Sequence, residues 1–241
     1  MFSPITLLAL LFGFSMQIFA DFAGYSLIAI GVALLFGYQL PDNFNFPYLA
    51  RSLGEFWQRW HMSLSTWLRE YLYYPLGGNR RGRMRTYFNL FMVMALGGLW
   101  HGAAWSFALW GLFHGGGLAV ERWFEDRFPG RLGEVSAGLR LLGVFGFVTL
   151  GWLLFKLTDI RHVAEFTRCL AGNWRLGLGN QKALLMNVAL FSAPVLAYHA
   201  SAAWMPLGSW LRRHEGLACG GLLAAIALSS GLPGAFLYFQ F

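Results

Sequence analysis

Charge is scarce in this chain. Asp, Glu, Lys and Arg make up 12% of its 241 residues, about half the ~25% of an ordinary soluble domain. The charges are also clustered. They leave Met1–Ala20, Phe22–Pro41, Thr86–Val120, Leu141–Phe155, Ala183–Leu211 and Gly216–Phe241 with none at all. Lysine is rarer still: Lys156 and Lys182 are the only two, so the net charge of +7 rests on arginine. Cysteine is confined to Cys169 and Cys219, too few and too far apart for a disulfide framework or a metal-ligand pattern. The chain has no basic face on a soluble fold, which argues against nucleic acid as a partner. It has no alternation of apolar and polar residues, which argues against a membrane β-barrel. It has no internal repeat, no GxSxG elbow for a serine nucleophile and no HExxH motif for a metal.

What fills the space is apolar: 57% of the residues are hydrophobic and 18% aromatic. About 20 predominantly apolar residues make a helix that spans a bilayer, so most of the uncharged runs are long enough. Leu141–Phe155 needs flanking residues such as Gly138 or Leu157. The reading is an all-α, polytopic transmembrane helical bundle of about six or seven spans. Met1–Ala20 has neither a basic start nor a small-residue cleavage site, so it reads as a retained span rather than a signal peptide. It meets the next run at Asp21. Two spans with a break there, or one long bent element, both fit. Asp21 is either a functional carboxylate or an interfacial loop residue in water.

Residues 41–85 differ in kind. PDNFNFP is turn-rich, with Pro41 and Pro47 bracketing Asn43 and Asn45. Beyond it Phe56, Trp60, Leu64, Trp67 and Tyr71 recur at helical spacing, with Arg59, Ser63, Thr66 and Glu70 on another face. This predicts one amphipathic, aromatic-rich helix, interfacial or re-entrant, that ends at Pro75 and Gly77-Gly78. Arg80, Arg81, Arg83 and Arg85 follow, as in a cytoplasmic loop. Residues 86–120 are then either a short hairpin bent at Gly97-Gly98 or one long tilted helix. The segments from Glu121 onward hold the remaining spans, joined by basic loops. The whole reads as a single membrane domain over 1–241, divided as 1–40, 41–85, 86–120 and 121–241.

The titratable group that stands out is His101, in GGLWHGAAW. Trp100 and Trp105 are expected to wall it, and Gly97, Gly98 and Gly102 to permit close approach. Desolvation disfavours the charged form, so the imidazole stays neutral at pH 7. It can then accept a proton from a hydroxyl as a general base, or it can serve as a packing histidine bonded to a neighbouring helix. His61 sits on the amphipathic segment. His114, thirteen residues beyond His101, is not its immediate neighbour on a helix face. No i, i+4 histidine pair exists, so no metal site is read here.

Four stretches together resemble the membrane-bound O-acyltransferase family, and within it the group that acetylates alginate. They are DFAGYS (Asp21–Ser26), AIGVALLFGYQLPDNFNFPYLARS (Ala29–Ser52), FWQRWHMSLSTWLREYLYYPLGGNRRG (Phe56–Gly82) and GGLWHGAAWSFALWGLFHG (Gly97–Gly115). The terminal AFLYFQF is similar to that group's end. The resemblance is dense over the first half of the chain and sparse afterwards. It implies acyl transfer from a thioester donor, acetyl-CoA or another, with no bound cofactor. The acceptor would be a hydroxyl of an exported polysaccharide or a periplasmic relay protein. It implies His101 and His61 as catalytic residues, with Arg59, Trp60, Ser63, Asn79 and Trp100 in support around the substrate. Membrane lipids, a periplasmic acetyltransferase and a separate amino-terminal half are the implied partners, and the bacterial inner membrane the implied location. Two positions depart from the pattern: Ala23 replaces a serine, and Leu27 an acidic residue. Family members are longer, and the match begins well inside them, so the resemblance implies further spans before Met1. A non-catalytic scaffold that binds acyltransferase partners is the alternative.

Overall fold

A computed structural model of the chain describes residues 2–172, 181–203, 213 and 221. Residues 204–211, Cys219, AFLYFQF and almost all of the Gly216–Phe241 run lie outside the described residues. Among the described residues, regular structure is helical apart from one isolated bridge between Phe44 and Trp60.

The first two uncharged runs form a single helix, α1 (Pro4–Leu35). Ser3 caps it through its hydroxyl, and Pro4 opens it where no N–H is needed. Its 32 residues extend about 48 Å at 1.5 Å per residue. Asp21 does not break it. The neighbouring side chains are apolar and good for a helix, and one carboxylate costs less at a half-buried site than an interrupted ladder would.

The amphipathic segment is not the one helix its periodicity predicts. It divides into α2 (Leu53–Arg59), α3 (Met62–Leu68) and a π-helical turn over Arg69–Tyr73. The break falls at Trp60-His61, because the PDNFNFP turn pairs with the backbone there. Asn45 N donates to Arg59 O at 3.0 Å and Met62 N to Asn43 O at 3.0 Å. His61 takes a left-handed backbone, φ 44°, a conformation that costs a non-glycine residue roughly 1–2 kcal/mol. The break parts the expected apolar face. Phe56 and Trp60 enter the core, while Trp67 and Tyr71 stay outside and stack on each other at 5.6 Å.

Residues 83–127 form a helical hairpin: α4 (Arg83–Trp100), a turn, and α5 (Trp105–Arg127). The bend lies at His101–Ala104, not at Gly97-Gly98. Both helices run past the uncharged stretch into the arginines at either end, which is how a stretch short for two spans makes two long helices. The basic flanks therefore end together. Tyr87 Oη donates to Asp126 at 3.0 Å, and Arg122 pairs with the same carboxylate at 3.2 Å. The glycines serve close packing instead of bending. A Cβ on Gly98 would lie 2.3 Å from Phe107 O, and one on Gly111 2.2 Å from Met94 O.

After the short α6 (Arg131–Glu134), α7 (Ala137–Lys156) returns antiparallel to α5. Phe147 stacks on Phe113 at 4.2 Å and Trp152 on Trp110 at 5.8 Å. The segment expected as a basic loop is in part a helix, α8 (Ile160–Gly172). α9 (Lys182–Ala203), with Pro194 inside it, packs on α1. By length and composition α1, α7 and α9 are the described helices apolar enough to cross a membrane.

The amphipathic segment is fastened to the hairpin by Glu121. Its carboxylate accepts from Leu53 N at 2.6 Å and Gly54 N at 3.0 Å, the open amides at the start of α2. Buried donors left unpaired cost about 1–3 kcal/mol. Glu121→Ala is expected to lower stability by about that amount, and Glu121→Gln by less, since its amide oxygen still accepts. Thermal unfolding in detergent measures both.

Candidate functional site

The core that positions the site is aromatic. Trp60 stacks on Phe56 at 5.7 Å and meets Trp152 at 4.9 Å, and Trp152 in turn stacks on Trp110. Tyr48, fully inside this group, donates its hydroxyl to Ser15 O of α1. The two candidate catalytic histidines stand at the edge of this core on different elements. His61 meets Phe22 of α1 edge to face at 4.6 Å. His101 caps α4 at the hairpin tip, perpendicular to Trp110 at 5.4 Å and to Phe155 at 5.3 Å.

The walls of His101 are thus Trp110 and Phe155, not the expected Trp100 and Trp105. Those two are 69% and 84% exposed. The reason is the turn: a residue just before or just after the tip points away from the packed interior, whereas Trp110 lies one helical turn and more down α5. His114 and His101 share a neighbour: the Trp110 ring lies 5.4 Å from that of His101 and 5.1 Å from that of His114. His114 is wholly buried among Phe56, Trp57, Phe113 and Phe147, with Gly151 close over its Nε2.

Burial pushes the His61 imidazole down to about 4, and the neighbouring His101 acts in the same direction. His61 is therefore neutral at pH 7. Its ordinary value is about 6.5 in an unfolded chain, so between 6.5 and 4 the unfolded state binds a proton that the folded state does not. His61 thus favours the fold fully above pH 6.5, and that contribution is lost as pH falls toward 4. His61→Asn removes the titration yet tolerates the left-handed backbone. The variant is expected to lose less stability than the parent between pH 7 and pH 4.5, read as the shift in unfolding temperature.

The supporting positions separate into two sets. Arg59 is engaged within the chain: it pairs with Glu55 at 2.7 Å and donates to Asn45 O at 3.2 Å. Trp60 is buried in the core. Ser63 is exposed and donates to Asn43 Oδ1 at 2.7 Å. Asn79 is exposed in the turn before α4, and Trp100 packs its ring beside Trp67 at 6.1 Å. Sequence reasoning placed Asn43 in a turn and missed its contact with Ser63. The signal was an amide-bearing residue in a Pro-bracketed turn, but only the fold sets that turn beside α3.

A cleft of about 970 Å³ opens between α1, α7, α8 and α9. Its walls are apolar, among them Leu10, Phe14, Leu153, Leu184 and Phe191, and its polar groups include Gln17, Asp21 and Lys156. Gln17 and Asp21 stand one turn apart on α1, and Lys156 lines the same cleft from the end of α7. Neither His61 nor His101 lines this cleft. Asp21 and Lys156 adjoin, in the chain, Phe22 and Phe155, the rings against the two histidines. Among the described residues no group of three or more His, Cys, Asp or Glu side chains gathers as a metal site would require.

Comparison with known proteins agrees with the motifs. The sequence profile of the membrane-bound O-acyltransferase family matches residues 1–131. The chain is 43% identical over 174 residues to a probable alginate O-acetylase, AlgI, of Pseudomonas putida, which covers 71% of this chain and 35% of that protein. It is 41% identical over 162 residues to a peptidoglycan O-acetyltransferase of Helicobacter pylori, covering 66% of this chain and 30% of that one. It is 38% identical over 168 residues to a teichoic acid D-alanyltransferase of Bacillus subtilis, covering 63% and 41%. The chain thus spans between 30% and 41% of the length of these curated relatives. The profile covers more than half of the 241 residues and takes in the broken aromatic segment and the hairpin tip with both histidines; the chain belongs to the membrane-bound O-acyltransferase family.

Proposed function

We propose that this chain carries the proton-transfer centre of an O-acyltransferase that esterifies hydroxyls of an exported polysaccharide. The observation that supports this most is that His61 and His101 border one aromatic core, joined through Phe22, Trp60, Trp152 and Phe155. They come from a broken interfacial segment and a hairpin tip, and each is held edge to face by aromatic side chains. A hydroxyl oxygen attacks the carbonyl carbon of an acetyl thioester such as acetyl-CoA. His101 takes the hydroxyl proton as the new C–O bond forms, and passes it to the thiolate as the C–S bond breaks. Aromatic walls limit water near the reacting thioester and so protect it from hydrolysis. The relatives named for alginate, peptidoglycan and teichoic acid share acyl transfer to a cell-surface polymer. That common theme favours such an acceptor, directly or through a serine of a periplasmic relay protein.

In this reading the four segments work as one membrane unit of the bacterial inner membrane. The unit makes about six or seven passes, and the amphipathic segment lies at or dips into the interface. A further amino-terminal portion completes its walls. Asn79 and Trp100, with open side chains, meet substrate. Arg59 and Trp60 shape the site through Glu55 and the aromatic core. The test is genetic and chemical. Deleting the gene for this chain in its own host should remove ester-linked acetyl groups from the exported polymer, and restoring the chain should return them. Unchanged ester content in the deletion strain would end the proposal.

A further inference from the structure

The hydrogen bonds beside His61 fix more than its position. Ser63 N is a backbone amide and can only donate. It lies 3.2 Å from one side-chain atom of Asn43, which must therefore be the oxygen, Oδ1. The amide of Asn43 is thereby oriented, and its Nδ2 donates to Ser26 Oγ at 3.2 Å. The same Oδ1 lies 2.7 Å from Ser63 Oγ. Two oxygens at that distance need a proton between them, and an amide oxygen has none, so the serine hydroxyl donates to it. Ser63 Oγ then has only lone pairs to offer its other neighbour, His61 Nδ1, at 3.4 Å. That contact is long and is the weakest link of the chain. It can be a hydrogen bond in one sense only, with Nδ1–H as the donor.

We propose that Asn43 and Ser63 are positioning residues that hold neutral His61 as the Nδ1–H tautomer, leaving Nε2 as its lone-pair nitrogen. Any proton that His61 takes up therefore arrives at Nε2. Ser26 anchors the far end of the relay, which ties the DFAGYS stretch of α1 to the chemistry of a residue on another element. The backbone holds the same two segments together: Met62 N donates to Asn43 O at 3.0 Å, and His61 between them has a left-handed φ of 44°. Neutrality is consistent with the burial that holds this imidazole at about 4. The consequence for catalysis rests on the acyl-transfer reading above; the tautomer itself does not.

The experiment is nitrogen-15 NMR of the full chain, labelled at histidine, in lipid nanodiscs at neutral pH. His61→Asn identifies the His61 signals by their loss. The wild type is expected to give an unprotonated Nε2 and a protonated Nδ1. Ser63→Ala should shift the population toward Nε2–H, and Ser63→Thr, which keeps the hydroxyl, should restore the wild-type pattern. Asn43→Leu should act as Ser63→Ala does. In the transfer assay Ser63→Ala should lower kcat about 10-fold, the lower end of what losing a group that orients a histidine costs in metal sites, and Ser63→Thr should recover it. A wild-type spectrum dominated by Nε2–H, or a Ser63→Ala spectrum identical to wild type, overturns the relay. Because the tautomer is read without turnover, the relay and the acyl-transfer reading can fail separately.

Discussion

Replacing His101 by alanine is expected to lower acyl transfer by about 10²–10⁴-fold, the usual contribution of a positioned proton acceptor. The fold should survive the change. His101 is half-buried and stands at the hairpin tip, and its structural bond is a backbone one, from its N–H to Gly98 O at 3.0 Å. Alanine keeps that bond. What is lost is a ring between Trp110 and Phe155 and its lone pair. His101→Gln separates the two losses, since glutamine fills much of the space and can hydrogen-bond but takes up no proton near pH 7. It should be as inactive as alanine. Acetyl ester on the exported polymer, measured with equal amounts of each variant in the membrane, gives the result. Near-normal ester content in either variant would mean that another group accepts the proton.

Gly111→Ala is expected to be the most disruptive single change to the fold. The added methyl would lie 2.2 Å from Met94 O and 3.0 Å from Ala95 Cα, both backbone atoms of the facing helix. No side chain can rotate out of its way, so the two helices must part. Overpacking a core costs typically 1–3 kcal/mol, and a backbone obstacle places this case at or above the top of that range. The same wedge at Gly98, 2.3 Å from Phe107 O, should act alike and lie closer to His101. Gly116 is the control. It is on the same helix with nothing within 4 Å of its would-be Cβ. There alanine should be neutral, or stabilising by up to ~1 kcal/mol through helix propensity. Unfolding temperatures of Gly111→Ala and Gly116→Ala in one detergent decide the matter. Equal values would refute the close-packing account.

Much of this site was legible from single residues, and the exceptions share a cause. Periodicity found the aromatic segment but could not see its break. The break depends on Asn43 and Asn45 pairing with backbone more than a dozen residues away, which no local pattern records. Glycine pairs marked the hairpin correctly as a place of close approach. Whether they bend the chain or only bring helices together is not decided locally, because a sequence does not distinguish a glycine needed for turning from one needed for contact. Over Ile160–Gly172 two local signals compete: Arg161, Arg168 and the nearby Arg175 suggest a basic loop, whereas Val163, Phe166 and Leu170 carry the helical spacing that the fold adopts.

The sequence by itself determined that the chain is helical and built for a membrane, because long uncharged apolar runs leave the backbone no other way to satisfy its hydrogen bonds in lipid. It also determined the family, and it singled out two histidines as candidates, because both rest on short motifs whose residues are contiguous. Only the tertiary structure decided what touches the histidines. Trp110 and Phe155 replace Trp100 and Trp105 as walls, and Asn43 joins Ser63 beside His61. Those contacts join segments far apart in the chain, and they arise from how the hairpin, the broken segment, α1 and α7 pack together. Packing of that kind is a property of the whole fold, and it is not written in any one stretch of residues.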